Sequence, residues 1–220
     1  MIEGEYTGGL VEGVREGRGV LIWSNGDRFE GDFKNGLRHG KGVYLESKGY
    51  KYEGEFSLSV KHGKGRCSWN NGDSYDGEMA KDTMNGQGEM ITKSGRYKGV
   101  FRNGLRDGLG VMQYKAGGKY EGHWKEGRMS GKGVYFWADG KKYDGEWKSG
   151  ERNGHGVMSL VNGERHNGAY YENKKHGAGW YRFTNGKVRP GDWKNDVLSR
   201  WSGPEQFEAQ MKAKLARSKR

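Results

Sequence analysis

Residues 120–133 read YEGHWKEGRMSGKG, and this stretch decides the fold. Tyr120, Gly122 and Trp124 stand two residues apart, so in an extended strand they share one face while Glu121 and His123 point the other way. Gly131 and Gly133 then open a second apolar run, Val134-Tyr135-Phe136-Trp137, which ends at Asp139-Gly140. Asp-Gly favours the positive φ angles of a tight hairpin turn, so the stretch predicts two antiparallel strands. Glycine inside a strand weakens it unless another group must approach its backbone closely. The rings of Tyr120 and Trp124 are the groups at hand, and the pattern predicts that they lie flat across neighbouring glycines.

The same unit recurs along the chain. Its first position is held by Tyr6, Phe29, Tyr52, Tyr75, Tyr97, Tyr120, Tyr143 and His166, with a partial ninth unit at Arg189. Each step is 23 residues, save the 22 from Tyr75 to Tyr97. A glycine follows two residues later in every unit, and the fifth position carries Leu10, Phe33, Phe56, Met79, Phe101, Trp124, Trp147, Tyr170 or Trp193. Fixed-period self-similarity marks a repeat architecture in which each unit packs only on its neighbours. The expected fold is all-β: an elongated single-layer antiparallel sheet of tandem β-hairpins, with a ladder of aromatic rings in place of a two-layer core. Sixteen such strands at ~4.8 Å each extend ~75 Å, against ~35–40 Å for a compact domain of this length. The segments are a lead-in at 1–5, eight repeats over 6–188, a partial ninth at 189–196 and a tail at 197–220.

Composition agrees with a thin fold. Only 32% of the 220 residues are hydrophobic and 42 are glycine, several times the usual ~7%. Low hydrophobicity with many charges is a disorder signature, but 8 Trp, 13 Tyr and 7 Phe supply apolar surface that disordered chains lack. Cys67 is the single cysteine, which excludes an internal disulfide and points to a reducing compartment. No apolar run reaches the ~18 residues of a membrane span, and the first residues do not read as a signal peptide, so a cytoplasmic protein is expected. The tail reads as a short amphipathic helix: Pro204 and Glu205 near its start, then Phe207, Met211 and Leu215 at i, i+4, i+8. That stripe serves either to cap the last strand or to dock a partner.

Catalytic and metal chemistry find no foothold. His39, His62 and His176 occupy equivalent places in their repeats, and neighbouring equivalents lie two strands, ~9–10 Å, apart. Zinc ligands must converge at ~2.0–2.1 Å bonds, so no metal is expected. The Gly-x-Gly pairs recur at one register and match neither a dinucleotide fingerprint nor a P-loop. No nucleophile–base constellation stands out, and the reading is a non-enzymatic protein without cofactor.

Two features point to binding. The tenth position of successive units holds Arg15, Arg38, Lys61, Met84, Arg106, Met129, Arg152 and Lys175, six of eight basic, in a chain of net charge +11. Read as loop residues along one edge, they form a rail for an acidic partner. The outward side of the second strands carries Val20, Ile22, Val43, Leu45, Val111, Val134, Phe136 and Val157, an apolar strip fit for partner contact or homodimerisation. Nucleic acid is not expected, because the rings are committed to the ladder and leave no stacking platform.

With YDGEWKSGERNGHG at 143–156 beside YEGHWKEGRMSGKG at 120–133, the chain resembles the MORN-repeat family (membrane occupation and recognition nexus) over about residues 6–196. The pattern is weakest at Ser59, Asp82, Asn173 and Asp196, where a mid-loop glycine is expected, and at His166 and Arg189. The opening Gly4-Glu5-Tyr6-Thr7-Gly8-Gly9 and the nearly pure array are similar to radial spoke head MORN proteins of motile cilia. That resemblance implies a structural scaffold of the ciliary or flagellar axoneme, part of the cytoskeleton, assembled with other proteins. The alternative, implied by the family's name and the basic edge, is a module that binds acidic phospholipid or tethers membrane to cytoskeleton.

Overall fold

The computed structural model describes residues 4–203. Among these, eighteen strands and no helix are found, and the strands belong to one antiparallel sheet, as the repeat predicts. The segment carrying Phe207, Met211 and Leu215 lies outside the described residues.

The chain divides into two compact parts after Gly108. The first holds β1 (Gly4–Val11), β2 (Val14–Trp23), β3 (Arg28–Lys34), β4 (Leu37–Leu45), β5 (Lys51–Ser57), β6 (Val60–Ser68), β7 (Ser74–Ala80), β8 (Thr83–Thr92) and β9 (Gly95–Arg102). β10 (Leu105–Tyr114) runs across the boundary. The second part holds β11 (Lys119–Lys125), β12 (Arg128–Phe136), β13 (Lys142–Lys148), β14 (Glu151–Ser159), β15 (Arg165–Tyr171), β16 (Lys174–Arg182), β17 (Val188–Lys194) and β18 (Val197–Trp201). Within each part every strand pairs with its chain neighbours. The sheet therefore continues through Val197–Trp201, a stretch read from sequence as tail.

The two glycines of each Gly-x-Gly pair have separate tasks. The first takes a positive φ (60° at Gly131, 101° at Gly154), where the register slips by two residues and the strand bulges. A bulge frees a backbone N–H, and the acidic residue at the fourth position accepts it. Lys64 N donates to Glu55 Oε1 at 3.0 Å, and Gln87 N to Glu78 Oε1 at 3.0 Å. The second glycine pairs across the strands with the glycine of the first strand, Gly122 with Gly133 and Gly145 with Gly156. A Cβ at Gly133 would strike the Oη, Cζ and Cε2 atoms of Tyr120, so the ring occupies the volume a side chain would need. The tyrosine hydroxyls then donate to the carbonyl three residues on, Tyr52 to Glu55 at 3.0 Å and Tyr120 to His123 at 3.0 Å.

The ladder rings are buried: Phe29, Tyr52, Tyr75, Tyr120 and Tyr143 are each 0% exposed. Toward one another they stand edge to face rather than stacked flat. Tyr143 meets Trp147 at 5.2 Å and 89°, and Tyr170 of the next repeat at 5.0 Å and 80°. Edge-to-face pairs place the positive ring rim on the negative face and are worth ~0.5–1.5 kcal/mol beyond burial.

Ser59, Asp82, Asn173 and Asp196 prove to be fastenings rather than lapses of the pattern. Each takes the positive φ of the missing glycine (66°, 64°, 67° and 68°), and its side-chain oxygen accepts the backbone N–H of the preceding repeat's tenth residue. Arg38 donates to Ser59 at 3.1 Å, Lys61 to Asp82 at 2.9 Å, Arg152 to Asn173 at 3.0 Å and Lys175 to Asp196 at 2.9 Å.

His166 fills its ladder position, buried against Tyr170 and Trp193, with Nδ1 2.8 Å from the Tyr170 hydroxyl and Nε2 without a partner. Burial, with Lys175 and His155 nearby, pushes its pKa down to about 3 from 6.5. The folded imidazole stays neutral between those values while the unfolded one takes up a proton, so this site loses stability as pH falls through that window. In denaturant unfolding, the stability of His166→Phe relative to the native chain should rise by about 1.4 kcal/mol per pH unit between pH 6 and 4. A flat difference contradicts the burial account. Gly122→Val would place its side chain against Tyr120 Oη (2.6 Å) and the Gly133 backbone (2.5 Å). It should cost ~1–3 kcal/mol or more, whereas Lys125→Ala should stay within about ±0.5 kcal/mol. Equal effects of the two in thermal melts contradict the ring-on-glycine packing.

Candidate protein-interaction surface

The tenth-position cations lie in strands, not loops, and on the ladder face. Arg15, Arg38, Lys61, Arg152 and Lys175 each pair across the hairpin with the fifth-position residue, as Arg38 does with Phe33 and Lys61 with Phe56. The Arg38 guanidinium sits over Trp23, Phe29, Tyr44 and Phe56 at 5.3–5.7 Å and donates to the Ser59 carbonyl at 2.6 Å. Burial presses its pKa down. Arg152 sits over Trp137, Tyr143 and Tyr170 at 5.6–5.8 Å and donates to the Asn173 carbonyl. Lys61 lies 4.5 Å from the Tyr50 ring centre and donates to its hydroxyl at 2.8 Å. Arg15 covers Tyr6, Arg106 covers Tyr97 and Lys175 covers Tyr181 at 5.3–5.7 Å. All six are half-buried. The loop reading failed because the charge pattern carries no sign of the aromatic face beneath it.

A half-exposed row of aromatics flanks the ladder toward the hairpin turns. In the first part it pairs Trp23 with Tyr44 at 5.9 Å and Tyr50 with Trp69 at 5.7 Å. In the second it joins Tyr114 to Tyr135 at 5.8 Å and Tyr135 to Trp137 at 4.6 Å. Further on, Tyr181 meets Phe183 at 5.0 Å, and Phe183 meets Trp201 at 5.6 Å with Arg189 over its ring. Sequence reading passed over this row, although Gly133, Tyr135 and Trp137 are two apart and share a face.

The opposite face is mixed in charge. Val20 pairs with Glu30, Glu30 with Val43 and Val43 with Glu53, so an acid separates the valines. In the second part Val134, Asp144 and Val157 alternate the same way. Val20 is half-buried and Ile22 is 44% exposed, set between Glu5 and Arg28. The expected strip is thus an alternation of apolar and acidic side chains. Cys67 is buried against the Tyr50 hydroxyl, 3.2 Å away, and burial pushes its thiol up, away from the reactive thiolate. Among the described residues no group of three or more His, Cys, Asp or Glu side chains converges as metal ligands.

Comparison with solved structures finds the TCP domain of Drosophila melanogaster SAS-4 in complex with a proline-rich motif of Ana2. It is 10% identical, covers 70% of this chain and 85% of that one, and has a TM-score of 0.44. The TCP10 domain of Danio rerio CPAP is likewise 10% identical, covering 84% of this chain and 89% of its own, with a TM-score of 0.46. No curated protein matches the chain. The MORN-repeat family model matches at residues 6–28, 29–46, 52–74, 75–95, 97–119, 120–142, 143–165 and 166–188. Eight matches at the register of the ring-and-glycine hairpins cover most of the sequence, and the chain belongs to the MORN-repeat family.

Proposed function

We propose that this chain is a non-catalytic scaffold that binds other proteins through its ladder face. The observation that carries the reading is the half-exposed aromatic row with cations stacked beside it, a combination enriched at protein interfaces. Arg15, Arg38, Lys61, Arg106, Arg152 and Lys175 contribute their outer edges to that contact. Val20 and Ile22 belong to the opposite face, where a second contact or homodimerisation would lie. The finer placement is in the radial spoke head of the ciliary or flagellar axoneme, supported by the opening run at Gly4–Gly9 and the nearly pure repeat plan. Binding to acidic phospholipid has less in its favour, since the cations lie over rings rather than on a flat basic surface.

The test is capture of spoke-head proteins from ciliated cells by the tagged chain, with acidic vesicles in a parallel sedimentation arm. Trp137→Ala plus Phe183→Ala should reduce capture about tenfold or more, in line with loss of an aromatic anchor. Val20→Asp plus Ile22→Asp, on the other face, should leave it intact in a chain that melts normally. Capture lost only in the second variant, or vesicle binding without protein capture, overturns the reading.

A further inference from the structure

Two repeats lack a cation at the tenth position and carry Met84 and Met129 instead. Beside Met84, on the ladder face of the first part, the structure opens a cavity of about 410 Å³. Its lining includes Trp69, Met84 and Gly104, the small or apolar Cys67 and Met79, and the acidic residues Glu46 and Asp82. Side-chain size accounts for the opening. Cys67 stands where other repeats place Tyr44, Tyr135 and Tyr181, and Met79 where most place an aromatic ring.

Arg38 and Arg152 show what the place of Met84 holds elsewhere in this chain. Each guanidinium lies over a tryptophan of the preceding repeat and rings of its own and the next, and donates to the mid-loop carbonyl of the next. Around Met84 the same register supplies Trp69 for Trp23 and Trp137, Tyr75 for Phe29 and Tyr143, and Phe101 for Phe56 and Tyr170. Gly104 holds the place of Ser59 and Asn173, and its N–H bonds the Met84 carbonyl at 2.9 Å, as Ser59 bonds that of Arg38. The tryptophan, the two ladder rings and the mid-loop carbonyl shared by both arginine clamps are present, and the guanidinium is absent. Lys61, the one cation of the lining, is tied to Tyr50 at 2.8 Å, and the two carboxylates exceed it in charge.

We propose that this cavity receives an arginine side chain of a partner protein. The guanidinium lies on the Trp69 ring beside Met84, donates to the Gly104 carbonyl and faces the carboxylates of Glu46 and Asp82. Cation–π attraction strengthens as a cation is desolvated, and arginine alone adds a planar face and forked donors. The proposal rests on the scaffold reading and names one contact chemistry. Failure of this site leaves partner capture through Trp137 and Phe183 untouched, so the two are separable.

The experiment is an NMR titration of the full ¹⁵N-labelled chain, following the Trp69 indole N–H, assigned by its loss in Trp69→Phe. The probes are N-acetyl-arginine amide, its neutral isostere N-acetyl-citrulline amide and N-acetyl-leucine amide. The arginine probe alone should give a saturable Trp69 shift. Glu46→Gln plus Asp82→Asn, which keeps the Asp82 side-chain acceptor for Lys61 N, should weaken that binding about fivefold. Met84→Arg, which supplies the guanidinium in cis, should abolish the shift and melt no lower than the native chain. No saturable arginine shift, an equal shift from citrulline or leucine, or unchanged binding in the folded acid double variant overturns the proposal.

Discussion

A ring laid over two facing glycines is the interaction on which the rest of this structure depends. A single-layer sheet has no second layer to bury its apolar face, so its stability must come from within the layer. Placing Tyr120 across the Gly122–Gly133 pair buries the ring completely and brings its hydroxyl to the His123 carbonyl. The glycines lose the packing that side chains would give and pay extra chain entropy. The ring restores both the contact and the burial. Because the volume is already full, the same pair of glycines must recur in every repeat, and the composition follows from the geometry.

Repeats are then joined to one another by two further devices. Edge-to-face rings carry the ladder across each boundary, as from Tyr143 to Tyr170. The tenth-position residue adds a clamp: its backbone bonds the mid-loop residue of the next repeat in both directions at Arg38–Ser59 and Arg152–Asn173. Its guanidinium closes over the rings from the same side. A charged residue that reads as a solvated loop thus becomes the seam between hairpins, and its replacement by Met84 leaves a seam with one part missing.

Much of the fold was legible because period and spacing are properties of the backbone. The alternation of Tyr120, Gly122 and Trp124 implies a shared face, and Asp139-Gly140 a turn, before any neighbour is known. The placement of Arg38 was not legible, because the two-residue turn at Asn35-Gly36 sets it in a strand opposite Phe33, over rings of neighbouring repeats that its charge does not announce. Ser59 and Asn173 looked like departures from the repeat for a related reason. Their role lies in a bond to the preceding repeat, 21 residues away, which no local pattern displays. The half-exposed aromatic row shares the ladder's spacing, Tyr135 and Trp137 being two residues apart, and period alone does not separate a half-exposed row from a buried one.

A double-mutant cycle between Tyr120 and Gly133 tests the central interaction most directly. Gly133→Ala alone should cost ~1–3 kcal/mol in denaturant unfolding, because its methyl group meets the phenol ring. Tyr120→Leu removes the Oη, Cζ and Cε2 atoms that the methyl would strike. In that background Gly133→Ala should cost less than about 0.5 kcal/mol, giving a coupling of at least about 0.5 kcal/mol. Additive costs, with alanine equally damaging whether or not the ring is present, would show that the glycines serve the backbone alone and contradict the account.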